Sequence, residues 1–225
     1  MKKLLLTFGL LFCFFFEGKS QAYTPFSDST SYWQVLNEHC GACYYGPGMG
    51  CVCGKKNYFF EGDTIIGSFT YKKVFNLYQS YNPWTGYSTG SKDFIGGIRN
   101  DVPNKKVYLY DITLGHDTLL YDFNLNIGDT LTKSFVYDKV SGIYGYVTID
   151  SIDFININGN IHKRYRLNGA GYGPGQAVDY LIEGIGSTFG LLEPIEAFFE
   201  DMNFLECFKY DIGVDYYGQS GCNVV

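Results

Sequence analysis

Short runs of alternating apolar and polar residues, broken by glycine-rich turns, recur along most of the chain. In "KKVYLYDI" (105–112), Val107, Leu109 and Asp111 alternate with Tyr108, Tyr110 and Ile112. The period of two places successive side chains on opposite faces of a strand. "YGYVTIDSIDFININGNIHKRYRLNG" holds two such runs around Asn158-Gly159, a pairing that favours a tight hairpin. Its second run alternates Arg164 and Arg166 with Tyr165 and Leu167, as a strand with one wet face would. "KKNYFFEGDTIIGSFTYKKVFNLYQSY", "AVDYLIEGIG" (177–186) and "FLECFKY" (204–210) extend the pattern. About ten to twelve strands are predicted, at the spacing of barrels and sandwiches. "GLLEPIEAFFEDM" is the one helix candidate, and Pro194 limits it to a short piece. The predicted fold class is all-β, an antiparallel meander forming a barrel-like or sandwich domain with little helix.

Composition agrees with the pattern. The chain has 21 Tyr, 19 Phe and 28 Gly in 225 residues. Aromatic residues suit pleated strands and glycine suits turns. "GDTIIGSFTYKKV" (62–74) aligns without gaps on "GDTLTKSFVYDKV" (128–140). This echo is read either as shared turn chemistry, with Gly-Asp turning and Thr opening the next strand, or as a duplicated β unit.

The first 22 residues change the chemical picture. Lys2 and Lys3 precede an apolar run from Leu4 to Phe16, and Ser20-Gln21-Ala22 follows. This is the layout of a secretory signal peptide, with cleavage expected after Ala22. Residues 23–225 then form a single β-rich secreted domain with no expected membrane span. Removing Lys2, Lys3, Lys19 and Glu17 from 17 basic and 23 acidic residues leaves 14 against 22, a net charge of −8. That balance argues against nucleic acid and anionic membrane surfaces as partners.

"YFFEGDTIIGSFTYKKVF", "LLYDFNLNIGDTL", "YLIEGIGSTFGLLEP" and "LECFKY…GC" occur in this order between Trp33 and Cys222. They resemble the N-terminal globular region of secreted Bacteroidota-type proteins that commonly carry a type IX secretion sorting domain. The resemblance implies export to the medium or the outer cell surface, and implies no particular reaction. The cysteine-rich stretch 39–54 is not a general feature of that family.

Export decides how the cysteines are read. Cys40, Cys43, Cys51, Cys53, Cys207 and Cys222 remain after signal removal, and an even number in an oxidising compartment favours disulfides. Cys207 is expected to pair with Cys222 through a hairpin near Gly213. Cys40 or Cys43 is expected to pair with Cys51 or Cys53, with "YYGPGMG" as the turn. A zinc site on these four, with His39 as a substitute ligand, fits less well, because C-x-C is an unusual second half. No metal and no cofactor is expected.

Other chemistry is sparse. His116 and His162 are read as surface residues, His162 from its neighbours Lys163 and Arg164. Asp179 and Glu183, four apart on an expected strand, would face the same way without forming a defined catalytic pair. "NGAGYGPGQ" (168–176) is read as a surface loop. "YQSYNPWTGYSTG" (78–90) places Tyr78, Tyr81, Trp84 and Tyr87 in a loop with Pro and Gly. Planar rings there either cover the end of the core or stack on a sugar or protein partner. Tyr81, Trp84 and Tyr87 are the candidate binding residues. The expected function is a secreted or cell-surface non-catalytic β module for a glycan or a cell-surface protein. The alternative is a secreted hydrolase acting on glycans.

Overall fold

The computed structural model describes residues 22–26, 31–39, 52–82, 84–88, 90–137, 146–157, 159–169, 179–195, 201–209 and 215–217. The chain is all-β, an antiparallel curled sheet in the form of a half-barrel plus a second small sheet. The large sheet begins as a meander of β1 (Tyr32–His39), β2 (Val52–Ile66), β3 (Phe69–Asn82), β5 (Lys92–Asp101), β6 (Lys106–Asp111) and β7 (His116–Asp122). A short β4 (Gly86–Tyr87) folds back on the end of β3. The small sheet is built from β8 (Thr148–Ile157), β9 (Asn160–Asn168), β10 (Tyr180–Ile182) and β11 (Gly186–Ser187). The chain then returns to the large sheet, where β12 (Asp201–Lys209) pairs with β1 and β13 (Asp215–Tyr217) pairs with β12. No helix occurs among the described residues, and residues 196–200 of the helix candidate lie outside them.

The alternation that predicted β6 is present, with Val107 and Leu109 fully buried. The β8–β9 hairpin turns at Gly159, whose φ is +88°. Ile157 pairs with Asn160 across that turn, as expected. The echo segments differ from the expectation. Gly62-Asp63 makes no turn; it forms a bulge within the long strand β2, where the register shifts between Phe60 and Asp63. The reversal falls later, at the two-residue turn between Ile66 and Phe69. Gly128 does lie in a turn, and Thr130 follows as an isolated bridge to Thr148. Both glycines have positive φ, at +71° and +90°, so the shared glycine supplies the same backbone freedom to two different local structures.

The core lies between the sheets and is strongly aromatic. Trp33 of β1 is fully buried and touches Phe60 of β2 and Phe208 of β12 at ring centroid distances of 5.1 and 5.2 Å. Its indole Nε1 donates to the Ile185 carbonyl at 2.7 Å, just beyond β10 of the small sheet. Phe26 stacks on both Trp33 and Tyr121, at 5.9 and 5.8 Å. Tyr121 donates to the Leu191 carbonyl at 2.7 Å. Trp33 and Tyr121 therefore each bring apolar area and a satisfied polar tip to the junction.

Trp33→Ala is expected to destabilise the protein by about 3–5 kcal/mol through the cavity it leaves. Urea unfolding followed by circular dichroism checks this; a loss under about 1 kcal/mol would show that the junction does not depend on Trp33.

Candidate functional site

The end of β3 carries the rings singled out from sequence. Asn82 stops the strand by an Asx turn, its Oδ1 accepting from the amides of Trp84 at 2.8 Å and Thr85 at 3.3 Å. Gly86 then takes a φ of +78° and returns the chain along β4. Tyr81 pairs with Tyr87 across this hairpin, and their rings lie 5.1 Å apart. Below them Ser88 N donates to the Ser80 carbonyl at 2.9 Å, and the two hydroxyls lie 2.8 Å apart. Trp84 projects from the tip, 89% exposed. Tyr78 and Tyr87 are also exposed, while Tyr81 is half-buried. The structure thus brings Tyr81 and Tyr87 together and sets Trp84 outward beside them. None of these rings belongs to the buried core cluster.

Lys55 was not legible as part of this site. Its Nζ lies 4.9 Å over the Tyr87 ring and 2.6 Å from Glu206 Oε2. Lys55 is itself buried, so its charge is held beside the ring by the β12 carboxylate. A polar ladder continues behind it. Gln34 Nε2 donates to Asn57 Oδ1 at 3.0 Å, and Asn57 Nδ2 donates to Gln79 Oε1 at 3.1 Å and to the Leu77 carbonyl at 2.8 Å. Tyr32 donates to Asn57 Oδ1 at 2.6 Å, and burial pushes its phenol up to about 12. These cross-strand bonds brace the base from which the hairpin projects.

The carboxylates are arranged differently. Glu193 is buried, accepts from Tyr58 at 2.8 Å and from the Leu192 amide at 3.1 Å, and lies 3.3 Å from Lys56 Nζ. A side chain at Gly190 would come within 2.2 Å of its Oε2, so only glycine fits there. Glu183 is 2% exposed and accepts from the Thr24 amide at 3.2 Å and from Tyr165 at 3.1 Å. Burial raises its carboxyl above the usual range, and those two hydrogen bonds oppose the shift. Asp179 does not share a strand with it: Asp179 precedes β10 and Glu183 follows it. Burial lifts Asp179 to about 6, against a hydrogen bond from Thr188.

His162 is not a surface residue. It is 3% exposed, and its Nδ1 lies 2.7 Å from the Glu183 carbonyl. It shares strand parity with Arg164 and Arg166, but the turn after β10 brings the Glu183 carbonyl against it. Desolvation lowers its pKa, and the bond to that carbonyl opposes the shift. His116 is exposed, as expected.

Cys207 is fully buried and disulfide-bonded, and no disulfide joins two described side chains. Cys40, Cys43, Cys51 and Cys222 lie outside the described residues, as do residues 170–176 of the glycine-rich loop. The side chains of His39 and Cys53, at the facing ends of β1 and β2, also lie outside them. Among the described residues no group of His, Cys, Asp and Glu is placed to hold a metal. No described helix is long and apolar enough to cross a membrane. One recess of about 10 Å³, room for about one water, lies among Leu120, Leu125, Leu131, Tyr137, Leu181 and Ile195. Comparisons with protein-family models, curated proteins and solved structures found no match.

Asp179 gives a pH prediction. A carboxyl whose folded pKa is raised from 3.8 to about 6 contributes stability at low pH that is lost as pH rises through this interval. Asp179→Asn is therefore expected to raise the melting temperature at pH 7 and leave it nearly unchanged at pH 4. An equal change at both pH values would contradict the assignment.

Proposed function

We propose that the protein is an exported, non-catalytic β module that recognises a glycan through the Trp84 hairpin. The carrying observation is the near-complete exposure of Trp84 at the tip of an ordered hairpin, beside the paired rings of Tyr81 and Tyr87. Clustered exposed rings mark interaction sites, and Trp and Tyr dominate the energetics of recognition surfaces. The apolar faces of sugar rings match such flat surfaces. Ser80, Ser88 and Thr85 supply hydroxyls around them.

Export is supported by the basic and apolar order of residues 2–16, and a secreted or outer-surface location by the resemblance to type IX secretion cargo. Disulfides fit that compartment. β13 sets Tyr217 opposite Cys207, and β1 and β2 pair at Glu38 and Val52. A secreted hydrolase acting on glycans is the second reading, favoured by Asp179, whose carboxyl near 6 suits a general acid.

Pull-down on insoluble cellulose, chitin, xylan and mannan tests the module. Wild type is expected to be retained on at least one, and Trp84→Ala to lose at least tenfold in affinity, about 1.4 kcal/mol, with an unchanged melting temperature. Retention of neither protein, or equal retention of both, would refute it. Release of reducing ends, abolished by Asp179→Asn, would favour the hydrolase.

A further inference from the structure

Residues 23–26 form a strap that touches both sheets. Phe26 N donates to Asn100 Oδ1 on β5 at 3.1 Å, and Asn100 Nδ2 donates back to the Phe26 carbonyl at 3.1 Å. Thr24 N donates to Glu183, beyond β10 of the small sheet, at 3.2 Å. Tyr23 packs its ring 6.1 Å from Phe123. Gly184, at a φ of +79°, lets the strap approach, since a side chain there would meet Pro25 O and Thr24 Cγ2 at 3.1 Å. Immediately before the strap, Ala22 is exposed.

Glu183 is short of donors for a buried carboxylate. An ionised carboxylate has about four acceptor sites, and among the described residues two donors reach this one. One of these, the Tyr165 hydroxyl, is also aimed at the Phe123 carbonyl, and its single proton serves one acceptor at a time. Successive backbone nitrogens lie at most about 3.7 Å apart. Tyr23 N is therefore within about 7 Å of the Glu183 carboxylate, on the side where the chain reaches the surface.

We propose that Glu183 is the binding site for the processed N-terminus: the α-ammonium created at Tyr23 pairs with this carboxylate and locks the strap onto both sheets. The proposal rests on reading residues 1–22 as a leader. Hydrolysis of the Ala22–Tyr23 amide by a signal peptidase consumes one water and leaves a carboxylate on Ala22 and an ammonium on Tyr23. Before cleavage that nitrogen is a neutral amide, so the pairing exists only in the mature chain. The charged surroundings are mixed. Lys163 and Lys105 act on Glu183, while Glu183, Asp101 and Asp122 act on the Tyr23 phenol. The Lys163 ammonium lies over the Tyr165 ring at 4.7 Å.

The exported, processed protein is compared with the same preparation acetylated at its α-amine and with Glu183→Gln. Titration of the α-amine by NMR is expected to give a pKa above the ordinary value of about 7.7–8.0. A raised amine pKa adds stability that is present below about pH 8 and lost as pH rises through the folded value. The free-amine protein is thus expected to melt higher than the acetylated one at pH 6–7, with the gap closing toward pH 9–10. Glu183→Gln is expected to return the pKa to its ordinary range and remove the gap. An amine that titrates at or below the ordinary value, with no gap, overturns the pairing; both measurements are made with Glu183 intact, so they decide even where the variant fails to fold. N-terminal sequencing separates the two ideas, because a mature start other than Tyr23 overturns the leader reading as well as the proposal, whereas a Tyr23 start with a flat result overturns the pairing alone.

Discussion

The two sheets of this protein meet at a junction centred on one tryptophan, with Phe26 and Tyr121 packed around it. Trp33 fills the space between β1, β2 and β12 with its ring and reaches the small sheet with its only polar atom, bonded to the Ile185 carbonyl. A Phe in its place would keep most of the apolar burial and leave that carbonyl without its donor, at a cost of about 1–3 kcal/mol. Around it the Phe26, Tyr121 and Phe123 rings extend the contact, with Tyr121 also anchoring the turn at Gly190 and Leu191. The half-barrel therefore meets the small sheet through these rings and through the turns at Ile185, Gly190 and Leu191.

Buried charge follows the same economy. Glu193, Lys55 and Glu206 each lie near an opposite charge, and Glu183 is met by an amide and a phenol. Removing one partner of such a group is far more damaging than the pair is stabilising, because the remaining charge is left desolvated. These groups hold turns and the N-terminal strap in place. The Trp84 hairpin meets these groups at Lys55, beside Tyr87; its Asx turn and paired serines order it locally, while the Gln34–Asn57–Gln79 ladder braces the strands below. A ring exposed on a rigid scaffold is the arrangement expected of a recognition element, since little order has to be acquired on binding.

Much of the fold was legible because it depends on local period. The alternation of Val107 and Leu109, the glycine turn at Gly159 and the return of β13 onto Cys207 all follow from residues close in sequence. Gly62-Asp63 misled for a physical reason: a left-handed glycine serves a bulge as well as a turn, and only the partner strand distinguishes them. His162 misled because parity tells which face a residue takes, not whether a turn twenty residues later covers that face. In the candidate site, Tyr81, Trp84 and Tyr87 could be named from the loop composition. Lys55 and Glu206 could not, because they meet across 151 positions of sequence through β1.

The central claim is that recognition occurs at the hairpin tip and that the buried carboxylates serve structure. Amide NMR during titration with a mixture of cellulose-, chitin-, xylan- and mannan-derived oligosaccharides, with reducing ends measured in parallel, tests both halves together. The account predicts shifts centred on residues 80–88 and Lys55, with no new reducing ends. Shifts centred on Asp179 to Glu193, accompanied by oligosaccharide cleavage, would contradict it.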